Sequence, residues 1–218
     1  VNEGEFLIPR LNRDQRKEAI EGPIRVAGGE VSKPLLNRLL NDIGDDPDQL
    51  PILQHALMRT WGYWAKHSDR DSLDLDDYRA TGGMTEALSR HANEVYAALP
   101  SDGHRKIAEK VFKNLTEKID QGRGIRRPMP FGELLEIVQC AEEDLRLVVN
   151  EFRAAGRTFL MPAPTREIDL STVIDISHES LMRVWTRLKD WVDDESQSAR
   201  IYRRLADTAQ LFEEGKAG

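Results

Sequence analysis

Apolar residues in this chain recur at three- and four-residue steps almost throughout, and that periodicity restricts it to a mainly helical fold. Leu35, Leu36, Leu39, Leu40 and Ile43 form one stripe. Leu53, Ala56, Leu57, Thr60, Trp61 and Trp64 form another, and Leu88, Ala92, Val95, Tyr96 and Leu99 a third. Local signals bound these runs. Asn12 followed by Gln15 has capping-box spacing ahead of a short helix expected to end at Gly22-Pro23. Ser32, with Pro34 just inside, starts the next helix, and Gly44 stops it. The acidic loop Asp45-Asp46-Pro47-Asp48 leads to Pro51, a favourable first-turn residue, and a short segment around Leu75 and Tyr78 ends at Gly82-Gly83. Residues 1–99 therefore read as an all-helical bundle.

The pattern changes after Pro100. Ile107, Val111, Phe112, Leu115 and Ile119 lie on one stripe that breaks at Gly122-Arg123-Gly124. A short extended piece, Ile125 to Met129, precedes a helix bearing Leu134, Leu135 and Val138, and then one bearing Leu145, Val148, Val149 and Phe152. Thr158 to Met161, followed by Ile168, Leu170, Thr172, Ile174 and Ile176 in period-two alternation, predicts a β-hairpin with a long tip. Helix, strand, helix, helix and hairpin is the element order of a winged helix. The hairpin feeds a helix with Leu181, Val184, Trp185, Leu188, Trp191 and Val192 on one face. A charged helix with Ile201, Leu205, Ala209 and Phe212 closes the chain. The expected fold is mainly α: a helical domain at 1–99, a winged-helix domain with a small hairpin at 100–193, and a connector helix at 194–218.

Charge and cysteine usage narrow the class. Lys plus Arg number 31 and Asp plus Glu 38, a formal charge of −7. That balance opposes a chain that coats nucleic acid or an anionic membrane. Apolar runs are only a few residues long, so no membrane span is expected. The single Cys140 excludes an internal disulfide or a Cys-based zinc site and fits a reducing, cytoplasmic setting. The opening Val1-Asn2-Glu3-Gly4 has no initiator Met and no apolar leader, which suggests a piece of something longer.

No self-contained active site is legible. Gly28-Gly29-Glu30-Val31-Ser32-Lys33 approaches a phosphate loop, but Ser32 stands where the second Gly should be and Pro34 where the hydroxyl should be. His178-Glu179 invites a zincin reading, yet Met182 replaces the second His ligand. His55, His67, His91 and His104 lack ligand spacing, Cys140 has no activating motif, and no Gly-x-Ser-x-Gly elbow occurs. The candidate recognition helix, Ala141 to Ala155, carries Glu142, Glu143, Asp144 and Glu151 against Arg146 and Arg153, a repulsive surface for a DNA groove. Residues 104–127 are basic instead, through Arg105, Lys106, Lys110, Lys113, Lys118, Arg123, Arg126 and Arg127. A solvated helix face is the plain reading of that stretch. Phosphate contact or docking on an acidic partner, with Arg126 and Arg127 as candidates, is the functional one.

Three stretches, in order, resemble the novel STAND NTPase group of signal-transducing P-loop ATPases. They are Phe6-Leu7-Ile8-Pro9-Arg10-Leu11 with Glu18-Ala19-Ile20-Glu21-Gly22-Pro23; Gly44 to Leu57, the most specific; and Ile176-Ser177-His178-Glu179-Ser180-Leu181 with Trp185 and Trp191. The resemblance implies the helical and winged-helix part of such a protein. A P-loop domain would lie upstream, and a repeat domain, often a WD-repeat propeller, downstream as sensor. It implies no cofactor in this chain, with ATP or ADP and Mg bound by the parent protein, and no enzyme activity here although the parent is an ATPase. Two nucleotide contacts follow by resemblance. Pro51 is similar to a family proline that packs on adenine, although Gln49 stands where the family has Gly; otherwise Pro51 simply begins a helix. His178 resembles a winged-helix histidine that reaches the ADP β-phosphate, at a helix start suited to an anion; otherwise it is a capping or packing histidine. Expected partners are the neighbouring domains and other proteins, with no membrane and with nucleic acid disfavoured. The alternatives are a winged-helix DNA-binding transcriptional regulator and a protein-docking scaffold with no nucleotide role.

Overall fold

A computed structural model describes residues 10–44, 49–67, 70–118 and 124–195, together with 205 and 208. The acidic loop 45–48, the first resembling stretch up to Pro9, the break at Gly122-Arg123 and almost all of the connector helix lie outside the described residues. The described chain is mainly helical with small sheets, and it divides into two compact units, residues 1–90 and 91–218.

In the first unit, α1 (Arg13–Val26) starts on the expected capping box: Asn12 and Gln15 exchange backbone-to-side-chain bonds of 2.9 Å. The helix does not stop at Gly22-Pro23 but carries Pro23 inside it to Val26. Proline removes only one helical hydrogen bond, and Ile20 and Ile24, one turn apart, are both buried, so apolar burial holds the last turn in place. A two-residue strand, β1 (Glu30–Val31), leads into α2 (Lys33–Asp42), capped by Ser32 and burying Leu35, Leu36, Leu39 and Leu40. Next come α3 (Gln49–His67), β2 (Ser72–Leu73), α4 (Leu75–Ala80) and α5 (Gly83–Ala97), the last crossing the division between units. β1 and β2 pair in parallel, so this region is not purely helical as expected. Two-residue strands carry no periodicity that a sequence can display.

A polar network joins the helix ends of this unit. The Ser32 hydroxyl donates to Asp74 Oδ1 at 2.6 Å, which links the N-cap of α2 to the N-cap of α4. Asp74 and Asp77 form a second capping box, and Arg70 reaches both carboxylates, at 3.3 and 2.9 Å. The Tyr78 hydroxyl donates to Asp42 Oδ2 at 2.8 Å and accepts from the Met84 N–H at 2.9 Å. Gly83 permits this closeness: its φ is +58°, and an added Cβ would sit 3.1 Å from the Tyr78 ring.

In the second unit, α6 (Asp102–Asn114) runs into a hairpin of β3 (Thr116–Lys118) and β4 (Gly124–Arg126). Then follow β5 (Met129–Pro130), α7 (Phe131–Val138), α8 (Glu142–Arg153), β6 (Leu160–Met161), β7 (Val173–Ile176) and α9 (Glu179–Val184), with residues 186–195 again helical. β5, β7 and β6 make one antiparallel sheet in that order, with Met129 opposite Ile174 and Leu160 opposite Ile176. The hairpin strands are shorter than the alternation suggested. Residues 168–172 leave the sheet because Asp169 Oδ1 accepts from the Ser171 N–H and from the Ser171 and Thr172 hydroxyls, an Asx-type turn. The carbonyls of Thr172 and Leu170 then accept from the Phe131 and Gly132 N–H groups, at 2.8 and 2.9 Å. They cap α7, which has no side-chain cap. An added Cβ at Gly132 would lie 3.1 Å from the Leu170 carbonyl, a tight approach that a side chain there would push outward.

The expected single helix through Trp191 is broken at Trp185, whose ψ of 98° ends α9. That residue is fully buried. Its ring stands edge-on to Phe112 at 4.9 Å and to Trp191 at 5.4 Å, and its indole N–H donates to Asn93 Oδ1 at 2.9 Å. Phe112 meets Phe152 at 4.8 Å, and Phe152 meets Phe159 at 6.2 Å, completing an aromatic core.

Candidate functional site

The second unit brings two of the sequence candidates together. β4 is held against α9, since an added Cβ at its first residue, Gly124, would touch Met182 at 3.6 Å. From β4 the Arg126 guanidinium donates to Asp175 Oδ2 at 2.7 Å and to the Ile176 carbonyl at 3.3 Å, and it lies 3.8 Å from Glu179 Oε1. His178 follows directly as the N-cap of α9, exposed, with no side-chain cap bond. Burial of part of its ring, and then the positive charge of Arg126, hold the imidazole below its ordinary 6.5 value. At neutral pH the ring is therefore neutral, with one N–H to donate. Because α9 has only six residues, the helix-end field contributes little, and the imidazole and guanidinium are what the site can offer an anion.

Three oxygens on the surrounding elements are buried without a hydrogen-bond partner among the described residues: Thr116 Oγ1, Asp175 Oδ1 and Ser180 Oγ. Two of them are hydroxyls able to donate. Orphaned buried polar atoms cost about 1–3 kcal/mol each. The exposed imidazole and the Arg126 guanidinium suit a phosphate oxygen, while Asp175 and Glu179 compete for Arg126. Sequence reasoning missed Asp175, Ser180 and Thr116 because their surroundings depend on β3, β4, β7 and α9 converging, and no local spacing encodes that.

The remaining candidates fall elsewhere. Arg127 is exposed, and its backbone N–H donates to the Leu115 carbonyl at 2.9 Å. Pro51 is half-buried in the first turn of α3, in the first unit. Much of the basic stretch is engaged internally: Arg105 with Asp102 and the Leu99 carbonyl, Lys110 with the Val138 carbonyl, and Lys113 with Glu109. Among the described residues no group of three or more His, Cys, Asp or Glu side chains is placed to hold a metal ion. Among them, too, no helix is long and apolar enough to cross a membrane.

No curated protein and no solved structure matches the chain. A family model described as Novel STAND NTPase 1 matches residues 1–217, almost the whole length. That match accords with the three resembling stretches and with the mainly helical architecture, and the chain belongs to the Novel STAND NTPase 1 family.

Proposed function

We propose that these residues are the nucleotide-responsive helical and winged-helix part of a cytoplasmic STAND-type signalling ATPase, relaying change between a P-loop core and a downstream repeat domain. The observation that carries the reading is the convergence of Arg126 with His178 at the start of α9, beside two orphaned hydroxyls. Support for the winged-helix assignment comes from the order α6, β5, α7, α8, β6, β7, with the β3–β4 hairpin inserted after α6 and with β5, β7 and β6 in one antiparallel sheet. In this reading His178 donates to a phosphate oxygen of bound ADP, and Arg126 strengthens that contact. Bound nucleotide supplies the polyphosphate charge that the state equilibrium responds to. Differential contact with ADP in the closed state then shifts the population, as linkage requires.

Hydrolysis is assigned to the core, because the 218 residues contain no G-x-x-x-x-G-K-[ST] loop, and Mg with it. The isolated chain is expected neither to hydrolyse ATP nor to bind it with micromolar affinity. With the P-loop core joined to these residues, His178→Ala should accelerate ADP release. Unchanged ADP retention would instead favour a docking scaffold without a nucleotide role. A DNA-binding regulator is disfavoured by Glu142, Glu143 and Asp144 in the first turn of α8. Salt-sensitive retention of duplex DNA, weakened by charge reversal at Arg126 and Arg127, would revive it.

A further inference from the structure

A second cationic feature of the same unit lies away from His178. The C-terminal half of α8 and the loop after β6 enclose a cleft of about 550 Å³, lined among others by Arg146, Asn150, Arg153, Arg166, Glu167 and Ile168. Its volume lies in the range of small-molecule sites, roughly 300–1,000 Å³. The floor is unusual. Arg153 is only 4% exposed, yet none of its partners is a carboxylate. Its guanidinium donates to Asn150 Oδ1 at 2.9 Å, to the Pro162 and Pro164 carbonyls at 3.3 Å, and to the Arg166 carbonyl. A buried charge is ordinarily paired, and neutral acceptors leave its charge uncancelled.

The neighbours add to that charge. Arg146 is fixed by the Ile168 carbonyl at 2.7 Å, by stacking over Phe131 at 5.1 Å and by Glu142, while Arg166 stands exposed at the rim. Glu167, also exposed, is the one carboxylate lining the cleft among the described residues. Arg146 is paired to Glu142, which leaves Arg153 and Arg166 against Glu167; with part of the wall formed by Ala154, Ala155, Pro164 and Ile168, these residues describe a container for an anionic head on a less polar body.

We propose that this cleft binds a phosphate-type oxyanion carried by a small molecule. The acidic first turn of α8 disfavours a duplex nucleic acid along this helix, whereas a small ligand needs only the cleft between the C-terminal half of α8 and the loop that carries Arg166. The anchorage of Arg153 and Arg146 by hydrogen bonds pre-orients their planar donors, and a further charge is supplied by the exposed Arg166. This site is independent of the nucleotide contact proposed at His178.

Calorimetric titration of the 218-residue chain with inorganic phosphate and with phenyl phosphate tests it. Saturable binding that weakens with salt is expected. Arg166→Gln should weaken it about tenfold, as loss of a charge-assisted bond implies. Glu167→Gln should tighten it by roughly threefold through removal of an opposing charge. Arg157→Gln, at an arginine paired to Glu151 and outside the cleft lining, should leave it unchanged. All three positions are outside the core, and circular dichroism checks that each variant is folded. Tighter binding of phenyl phosphate would assign an organic ester, and equal binding a free oxyanion. Absence of saturable binding by either probe, or equal affinity in wild type, Arg166→Gln and Glu167→Gln, would overturn the proposal. His178→Ala should not alter this binding, which separates the site from the nucleotide reading.

Discussion

The two units hold short helices together by different means. In the first, α2 and α4 are ten and six residues long, too short to be stable alone, and their ends are tied by side-chain hydrogen bonds through Ser32, Asp74, Asp77 and Tyr78. In the second, Phe112, Phe152, Phe159 and Trp185 make one aromatic cluster, and helix ends lean on carbonyls of the loop before β7. The difference has a physical consequence. A network of carboxylates responds to pH and to loss of single donors, while an aromatic core responds mainly to loss of volume.

The largest effect should come from Trp185→Ala, which removes a fully buried indole and leaves a cavity beneath Phe112. A loss of about 3–5 kcal/mol is expected for the second unit, measured by denaturant unfolding with tryptophan and circular-dichroism probes. A smaller loss, under about 1 kcal/mol, would mean that the cluster is not the support described. Tyr78→Phe comes next, at about 1–3 kcal/mol in the first unit, because the Met84 N–H and Asp42 lose a buried partner at once. Equal sensitivity of both units to this change would break the comparison.

Ser32→Ala should cost about 1 kcal/mol through loss of a cap, and it should also change the acid response. The Ser32 hydroxyl, then the Leu75 N–H, hold Asp74 below its ordinary 3.8 value. Its contribution is thus complete above that value and lost as pH falls through it toward the lower folded value. Unfolding midpoints of wild type followed from pH 6 to pH 2, roughly the carboxylate range, should drop more steeply than those of Ser32→Ala. Parallel curves would remove the hydroxyl from the explanation. The smallest effect is at His178. Its lowered value favours folding above the ordinary 6.5 and loses that contribution as pH falls below it, so His178→Gln should flatten only the mildly acidic part of the curve.

What could be read from sequence was what local spacing encodes. The Asn12–Gln15 box, the Ser32 cap with Pro34, and the apolar stripes of α2, α5, α6 and α8 all follow from residues within one or two turns of each other. The continuation of α1 past Pro23, the break at Trp185 and the departure of 168–172 from the hairpin did not follow. In each, burial or a turn-forming side chain prevails over the local pattern. At the candidate site, His178 and Arg126 were each legible as residue types. Their convergence was not, since 52 positions separate them and a hairpin beside β7 must bring them together. Asp175, Ser180 and the Arg153 cleft were invisible for the same reason: burial assigns their significance, and no motif announces it.

In the proposed function, His178 holds the nucleotide-bound closed state. Its most direct test is the release rate of ADP from the chain joined to a P-loop core of the proposed kind, followed with a fluorescent ADP and compared between wild type and His178→Ala. Loss of one phosphate hydrogen bond predicts release faster by about tenfold, with Arg127→Ala indistinguishable from wild type. Release at the same rate in His178→Ala and wild type would contradict the claim.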